Sequence, residues 1–373
     1  MPKAIKLCEG KSIGEHEIKY VEKALNDFQI SNHGYYIESF EEKLKSYLNT
    51  EKAVSVLNSG TSAIHMALVL CGVTTGDEVL CQSYTFCATA NPIAYIGANP
   101  IFIDSETDTY NMCPNFLEDA IKSRLKLGKL PKAIIVTHSY GMPAKIIDLL
   151  EIAKRYNIKL IEDAAEALGS EVEGKKCGTF GDYGIFSFNA NKIITSAGGG
   201  ALICNTETEK NRANHLAKQA KESQEFYLHS ELGYNYKLNN INAAIGVAQL
   251  ETIQERIILK RNIFEFYKSC FSKTQNVKLL EEKGINFSNY WINVIQVENS
   301  TLRNNIIKRF QENNIEIRPV WNPMHLQPLY DGCLYFGKNE SKKMFNQGLC
   351  LPSGISLKKQ DLKRIATIFN QLI

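Results

Sequence analysis

Three short stretches hold residue types that could do chemistry together. The first is "NSGTS", Asn58 to Ser62, between an apolar run and an amphipathic one. A glycine turn at a helix N-terminus leaves N–H groups free and puts the positive end of the helix dipole there, which suits a phosphate. The same residues also make an ordinary N-cap. The second is "KLIEDAAEALGS", where a buried strand ends on Glu162 and Asp163. A carboxylate at a strand's carboxyl end is placed to meet a ligand, and it equally suits the start of a following helix. The third is "GDYGIFSFNANKIITSAGGGALI", with one lysine, Lys192, among apolar and small residues. In low-dielectric surroundings a lysine gives up its proton more readily, and a neutral amine attacks a carbonyl carbon. A lysine also commonly lays its stem over apolar surface and keeps its charge in water. Each stretch alone has a bland reading. A phosphate cradle, a carboxylate and a nucleophilic lysine together are what pyridoxal phosphate needs.

The elements that must position these residues are legible as alternation. Strand patterns fall at 53–58, 78–85, 100–104, 133–138, 159–163, 184–188 and 201–205. Helical patterns such as "TSAIHMALVLCG", "NFLEDAIKSRLKL" and "KIIDLLEIAKRYN" separate the earlier ones. Short, nearly all-apolar strands with amphipathic helices between them predict an α/β fold, a seven-stranded, mostly parallel sheet covered on both faces. Ligands of such sheets sit beyond the carboxyl ends of the strands, where all three stretches fall. The last two strands leave no room for a helix between them, so that end of the sheet departs from simple alternation. From Asn240 apolar residues keep helical spacing over a long span, which predicts one long connecting helix. "YWINVIQV" then reads as a strand, and "LRNNIIKRFQENN" and "KKQDLKRIATIFNQLI" as helices. The expected division is a large ligand-binding domain with the N-terminal segment, 1–240, and a connecting helix with a small C-terminal α+β domain, 241–373.

Composition excludes several classes. A chain of 373 residues with 44% hydrophobic and 22% charged residues is ordinary for a soluble globular protein with a large core. A net charge of +3 without a basic block gives no support for nucleic-acid binding. No run is apolar enough to span a membrane, and the N-terminus has no secretory pattern, so a cytoplasmic location is expected. The 10 cysteines are scattered, without a C-x-x-C or a cluster with histidine. They read as reduced residues, and no metal site is expected.

The ordered motifs "NSGTSAIHMAL", "SYTFCATANPIAYIGANPIFID", "IEDAAEALGS", "GDYGIFSFNANKIITSAGGGAL" and "GYNYKLNNINAAIG" resemble the DegT/DnrJ/EryC1/StrS family of sugar aminotransferases nearly end to end. The resemblance implies the fold type I aminotransferase architecture, pyridoxal 5'-phosphate as cofactor, and a homodimer with active sites shared at the subunit interface. It implies that Lys192 is the Schiff-base lysine and Asp163 the partner of the cofactor's ring nitrogen. Glu166 takes a position often filled by Gln, close to the cofactor. Phe86 is implied to stack on the ring; Gly60, Thr61, Ser62 and Ser187 to hold the phosphate; and Asn235 to reach it from the partner subunit. A branch with histidine in place of the lysine dehydrates the sugar, and Lys192 argues against that branch.

The segments "RPVWNPMHLQPLY", "GLCLPSG" and "AKQAKESQEFYLHSELGYNY" resemble members that make UDP-N-acetylbacillosamine precursors. That implies transfer of an amino group from L-glutamate to C4 of a UDP-linked 2-acetamido-2,6-dideoxy-4-keto hexose. Arg318 and His325 are candidates to meet sugar or phosphate, or to lie in an interface. Trp321 and Tyr330 read as core residues. The alternative substrate is GDP-4-keto-6-deoxymannose, which gives a perosamine. Two other classes stand beside these: a lysine-dependent lyase without pyridoxal phosphate, and a non-catalytic scaffold, which intact Lys192 and Asp163 disfavour.

Overall fold

A computed structural model describes residues 3–8, 14–223, 225–272, 274 and 276–372. All seven expected strands are present: β1 (Ala53–Leu57), β2 (Glu78–Gln82), β3 (Asn99–Ile103), β4 (Ala133–Thr137), β5 (Lys159–Asp163), β6 (Tyr183–Ser187) and β7 (Gly200–Cys204). Side chains alternate between two cores: Ile134, Leu160 and Phe186 pack on one face, Ile135, Ile161 and Ile185 on the other. Both faces are therefore covered, as continuous apolar strands require.

C-terminal to these run β8 (Val277–Leu279), β9 (Asn293–Val297), β10 (Arg318–Pro319), β11 (Tyr335–Phe336) and β12 (Gly348–Leu351). The main sheet has the order β1-β7-β6-β5-β4-β2-β3-β11. It thus holds eight strands rather than seven, because β11 adds in parallel to β3. Two residues with no apolar alternation carry no strand signal. Asp104, just past β3, holds them: its N–H donates to the Phe336 carbonyl at 3.0 Å, and its carboxylate fixes the following turn by accepting from the Lys338, Glu340 and Ser341 amides at 2.9–3.0 Å and from the Ser341 hydroxyl at 2.6 Å.

β7 is antiparallel to both its neighbours, β1 and β6. The chain joins β6 to β7 directly, through the segment bearing Lys192 and with no crossover helix. Strands β8, β9, β12 and β10 form a second, antiparallel sheet. Its core includes Tyr267, Phe271, Ile295, Phe310 and Phe369.

The expected single connecting helix is two, Asn240–Glu251 and Ile253–Phe271, separated at Thr252 with φ −106° and ψ 10°. The Thr252 hydroxyl donates to the Gln249 carbonyl and accepts from Arg256 Nε, so it competes with the helical ladder. Apolar periodicity continues across the break and hides it. All ten cysteines are free thiols. Among the described residues no helix is long and apolar enough to cross a membrane.

Candidate active site

The carboxyl ends of the central strands open into a cleft of about 580 Å³. Gly60, Thr61, Phe86, Asp163, Glu166, Ser187, Lys192 and Arg318 all line it. The three chemical stretches of the sequence thus meet in one place.

The phosphate-type end is the helix Gly60–Leu70, capped by Ser59, whose hydroxyl accepts the Ser62 N–H at 3.0 Å. The amides of Gly60 and Thr61 begin the helix and have no helical acceptor behind them. Ser62 itself does not line the cleft; its hydroxyl donates to Asn58 Oδ1 at 2.6 Å and completes the cap. Ser187 ends β6 beside this turn, and a Cβ on Gly60 would lie 3.1 Å from the Ser187 Cβ. Gly200 faces the same turn from β7. A Cβ there would fall 2.5 Å from the Gly60 nitrogen, so only glycine fits.

At the other end of the cleft Asp163 is fully buried. Its neighbour Glu162 points to the opposite face, as strand alternation demands. There Glu162 accepts from the amides of Gly178, Phe180 and Gly181 at 2.6–2.8 Å. His138 Nδ1 accepts the Ala144 N–H, so Nε2 carries the proton and donates to Glu162 Oε2 at 3.1 Å. Glu162 is a structural clasp. Asp163 accepts from the Thr89 hydroxyl at 2.6 Å and from the Ala165 N–H at 3.2 Å. Burial pushes its carboxyl above the usual range, against the pull of Thr89, Ala165 and the Lys192 charge. A buried carboxylate with its pKa raised this way favours a positively charged partner from outside the chain.

Lys192 lies in the loop between β6 and β7. Its Nζ donates to Glu166 Oε1 at 2.9 Å and sits 4.3 Å from the Trp291 ring centroid. The Asn191 carbonyl beside it accepts the Trp291 indole N–H at 2.8 Å, which holds the loop. Glu166 Oε2 accepts the Tyr140 N–H at 2.8 Å. Burial raises the Glu166 carboxyl as well, with the Lys192 charge opposing.

Besides Ser62, two expected residues lie outside the cleft. His325 does not line the cleft. It stacks on Tyr335 at 3.8 Å and shares a 2.7 Å hydrogen bond with the Ser83 hydroxyl. Asn235 is exposed and also outside this cleft; its carbonyl accepts from Asn58 Nδ2 at 3.0 Å. Arg318 lines the rim and pairs with Glu316 at 2.6 Å. Tyr330 is buried, as expected of a core residue, but Trp321 is half-buried on the cleft wall.

Sequence reasoning missed Thr85, Thr89 and Thr137, a buried hydroxyl relay ending on Asp163. The i, i+4 spacing of Thr85 and Thr89 was the available signal. It also missed Tyr140 and Trp291. Tyr140 takes a left-handed φ of 57° directly before Gly141, whose own φ is 88°.

These residues fit pyridoxal phosphate: a buried carboxylate for a ring nitrogen, a lysine for the aldehyde carbon and a helix start for the phosphate. The comparison with known families decides the matter, because residues 11–370 match the DegT/DnrJ/EryC1/StrS aminotransferase family.

The chain belongs to that family.

It is a pyridoxal-phosphate-dependent sugar aminotransferase, which sets aside the cofactor-free lyase and the scaffold. Among its relatives is a putative pyridoxal phosphate-dependent aminotransferase, EpsN, from Bacillus subtilis, 43% identical over 95% of this chain and 92% of that one. The GDP-perosamine synthase of Escherichia coli O157:H7 is 36% identical over 96% of both chains. The crystal structure of a DegT DnrJ EryC1 StrS aminotransferase from Brucella abortus superposes with a TM-score of 0.89 at 29% identity, over 95% of each chain.

Proposed function

We propose that this aminotransferase moves an amino group from L-glutamate to C4 of a UDP-linked 2-acetamido-2,6-dideoxy-4-keto hexose. The observation that carries the reaction type is the convergence of Lys192, Asp163 and the Gly60–Thr61 helix start on one cleft. When bound, pyridoxal phosphate supplies an electron sink for the carbon that loses its proton. Asp163 keeps a negative charge against the ring nitrogen. The Gly60 and Thr61 amides and the Ser187 hydroxyl meet the phosphate, and Phe86 covers the ring. Lys192 Nζ would hold the cofactor covalently, and as a free amine it would take the donor's α-proton and deliver one to C4 of the sugar. Glu166 accepts a hydrogen bond from the free amine at 2.9 Å and so orients it. Arg318, on the rim, meets the sugar's diphosphate.

The working unit in this reading is a homodimer in which Asn235 completes the phosphate site of the partner. Its exposure outside its own chain's cleft supports that role. Anchoring by the nucleotide raises the effective concentration of the ketone at Lys192, so keto sugars without a nucleotide react poorly.

The UDP sugar rests on the segments "RPVWNPMHLQP" and "ESQEFYLHSELGYNYKLNN"; in the second, Gln224 lies outside the described residues. A second reading, GDP-4-keto-6-deoxymannose, is favoured by the 36% identity to a GDP-perosamine synthase. The sugars differ at C2, acetamido against hydroxyl, and a pocket built to hydrogen-bond one group rejects the other. Each keto sugar, made in place by its own dehydratase, is offered with glutamate. Efficient amination of the UDP sugar alone is expected. Amination of the GDP sugar alone moves the assignment to the second reading, and amination of neither sinks both.

A further inference from the structure

The chain contains two tryptophans, and both stand in the wall of this cleft. They bracket Tyr140. The Trp291 ring is nearly parallel to Tyr140, 13° between planes with centroids 6.5 Å apart. Trp321 stacks closely on the same ring, at 4.3 Å and 25°. The array begins at the reactive nitrogen, since Lys192 Nζ lies 4.3 Å from the Trp291 centroid. It ends facing the opposite wall, where Phe86 lies 6.3 Å from Trp321 at 45°.

The array is built rigidly. Tyr140 is buried at a left-handed φ of 57°. Its N–H is held by Glu166 and its hydroxyl accepts the Trp321 backbone N–H at 3.0 Å. One face of the Trp321 indole is therefore backed by a locked ring, while Trp321 itself is only half-buried and lines the cleft. A large aromatic face left half-open in a reaction cleft, with its backing fixed, is a pre-organised stacking surface. The amino donor of the proposed reaction is a small charged amino acid with no ring. The acceptor carries a pyranose whose C–H face and 6-methyl group are apolar. Only the acceptor has something to lay on an indole.

We propose that Trp321 is a specificity-determining residue for the sugar half of the reaction, its indole stacking on the pyranose ring while the keto carbon points to Lys192. This rests on the nucleotide-sugar reading above. It separates the two substrates of one cleft: Trp321 serves the sugar and leaves the amino donor untouched. Its position one ring beyond Tyr140, which itself lies next to the Lys192–Glu166 pair, suits the ring bearing the ketone better than a more distant nucleobase.

The test uses cofactor-loaded enzyme and measures the two half-reactions apart, by the change in cofactor absorbance on adding glutamate alone and then keto sugar alone. In Trp321→Leu the glutamate half-reaction is expected within about twofold of wild type, while kcat/KM for the keto sugar falls about tenfold, as loss of a stacked pair implies. Trp321→Phe keeps a ring on Tyr140 and is expected between the two; it carries the test should the leucine variant fold poorly. Inhibition by UDP and by GDP is measured alongside and is expected to be unchanged. A parallel loss in both half-reactions makes Trp321 merely structural and overturns the proposal. So does a sugar half-reaction that does not fall. Weakened inhibition by the free nucleotides assigns the indole to the base and overturns it too. Absence of keto-sugar turnover in the wild-type enzyme would instead sink the substrate reading, which keeps the two failures distinct.

Discussion

Lys192 Nζ and Glu166 Oε1 are joined by a 2.9 Å hydrogen bond between a partly buried lysine and a buried carboxylate. The second carboxylate oxygen is committed to the Tyr140 N–H. Glu166 thus serves two donors with two acceptors, and an amide cannot do the same. In Glu166→Gln one donor faces an NH₂ group. Turnover is expected to drop about 10- to 100-fold, the range for losing a hydrogen bond to a charged group, with cofactor still bound by absorbance. Because burial raises the Glu166 carboxyl, wild-type turnover should fall as pH drops through that raised value and the carboxyl takes a proton. The glutamine variant lacks that acid limb. A pH–rate profile of unchanged shape removes Glu166 from the proton path.

Asp163 carries opposite consequences for function and stability. Asp163→Asn should cut turnover by roughly two orders of magnitude, since a neutral amide does not hold a ring nitrogen protonated. The folded-state pKa of Asp163 is raised above its ordinary value of 3.8. Its charge therefore costs stability once pH has risen through the folded value, and the cost vanishes below the unfolded one. Cofactor-free Asp163→Asn should melt about 1–3 °C higher than cofactor-free wild type near neutrality, with the gap closing in acid. A variant less stable at neutral pH contradicts this.

A shared site can be tested by complementation. Lys192→Ala subunits mixed with Asn235→Asp subunits should form heterodimers with one undamaged site, restoring up to about a quarter of wild-type activity per total site if exchange is random. Exchange shown by mass spectrometry without any return of activity rules out the shared site.

Asp104 pins β11 and the helix Glu340–Gln347 to the main sheet. Burial alone would raise its carboxyl, but Ser341, Tyr335 and the backbone amides outweigh this and hold it below the usual 3.8. Asp104→Ala strands several buried donors and should cost about 3 kcal/mol or more in denaturant unfolding. The sign for a depressed carboxylate is a contribution present above the unfolded pKa and lost as pH falls through the folded one. The difference between wild type and Asp104→Asn should hold from pH 7 to 5 and shrink below about pH 4. A difference independent of pH leaves the charge without a role.

What the sequence made legible follows the size of the physical signal. Seven strands of continuous apolar residues were readable, as was the meeting of Gly60, Asp163 and Lys192 at strand ends. That one of Glu162 and Asp163 must face away was implied by alternation, but which one depends on the register of the whole sheet. The Thr252 break was masked because apolar spacing runs through it. β11 was invisible because its two residues are held by hydrogen bonds to Asp104, not by pattern. His325 sits within a motif that resembles a substrate segment, yet stacking on Tyr335 takes it into the packing below. Trp321 could not be told from a core residue, since an indole on a cleft wall and one in a core are the same letter.

The antiparallel β7, threaded between β6 and β1, has a mechanical consequence. Ser187 and Gly200 are direct partners across the β6–β7 pair, so the segment bearing Lys192 leaves and re-enters the sheet at adjacent points. It is a closed hoop riveted at both feet in the middle of the molecule. Pulling it outward would require unzipping two central strands, which belong to the part of a fold that opens last. Within the hoop the Asn191 carbonyl is held by the Trp291 indole and the Ser196 N–H by the Phe188 carbonyl, so the amine travels chiefly by the four torsions of its own side chain. Losing the cofactor leaves the hoop where it was, so the empty protein keeps its socket and reloading is a docking event instead of a refolding one.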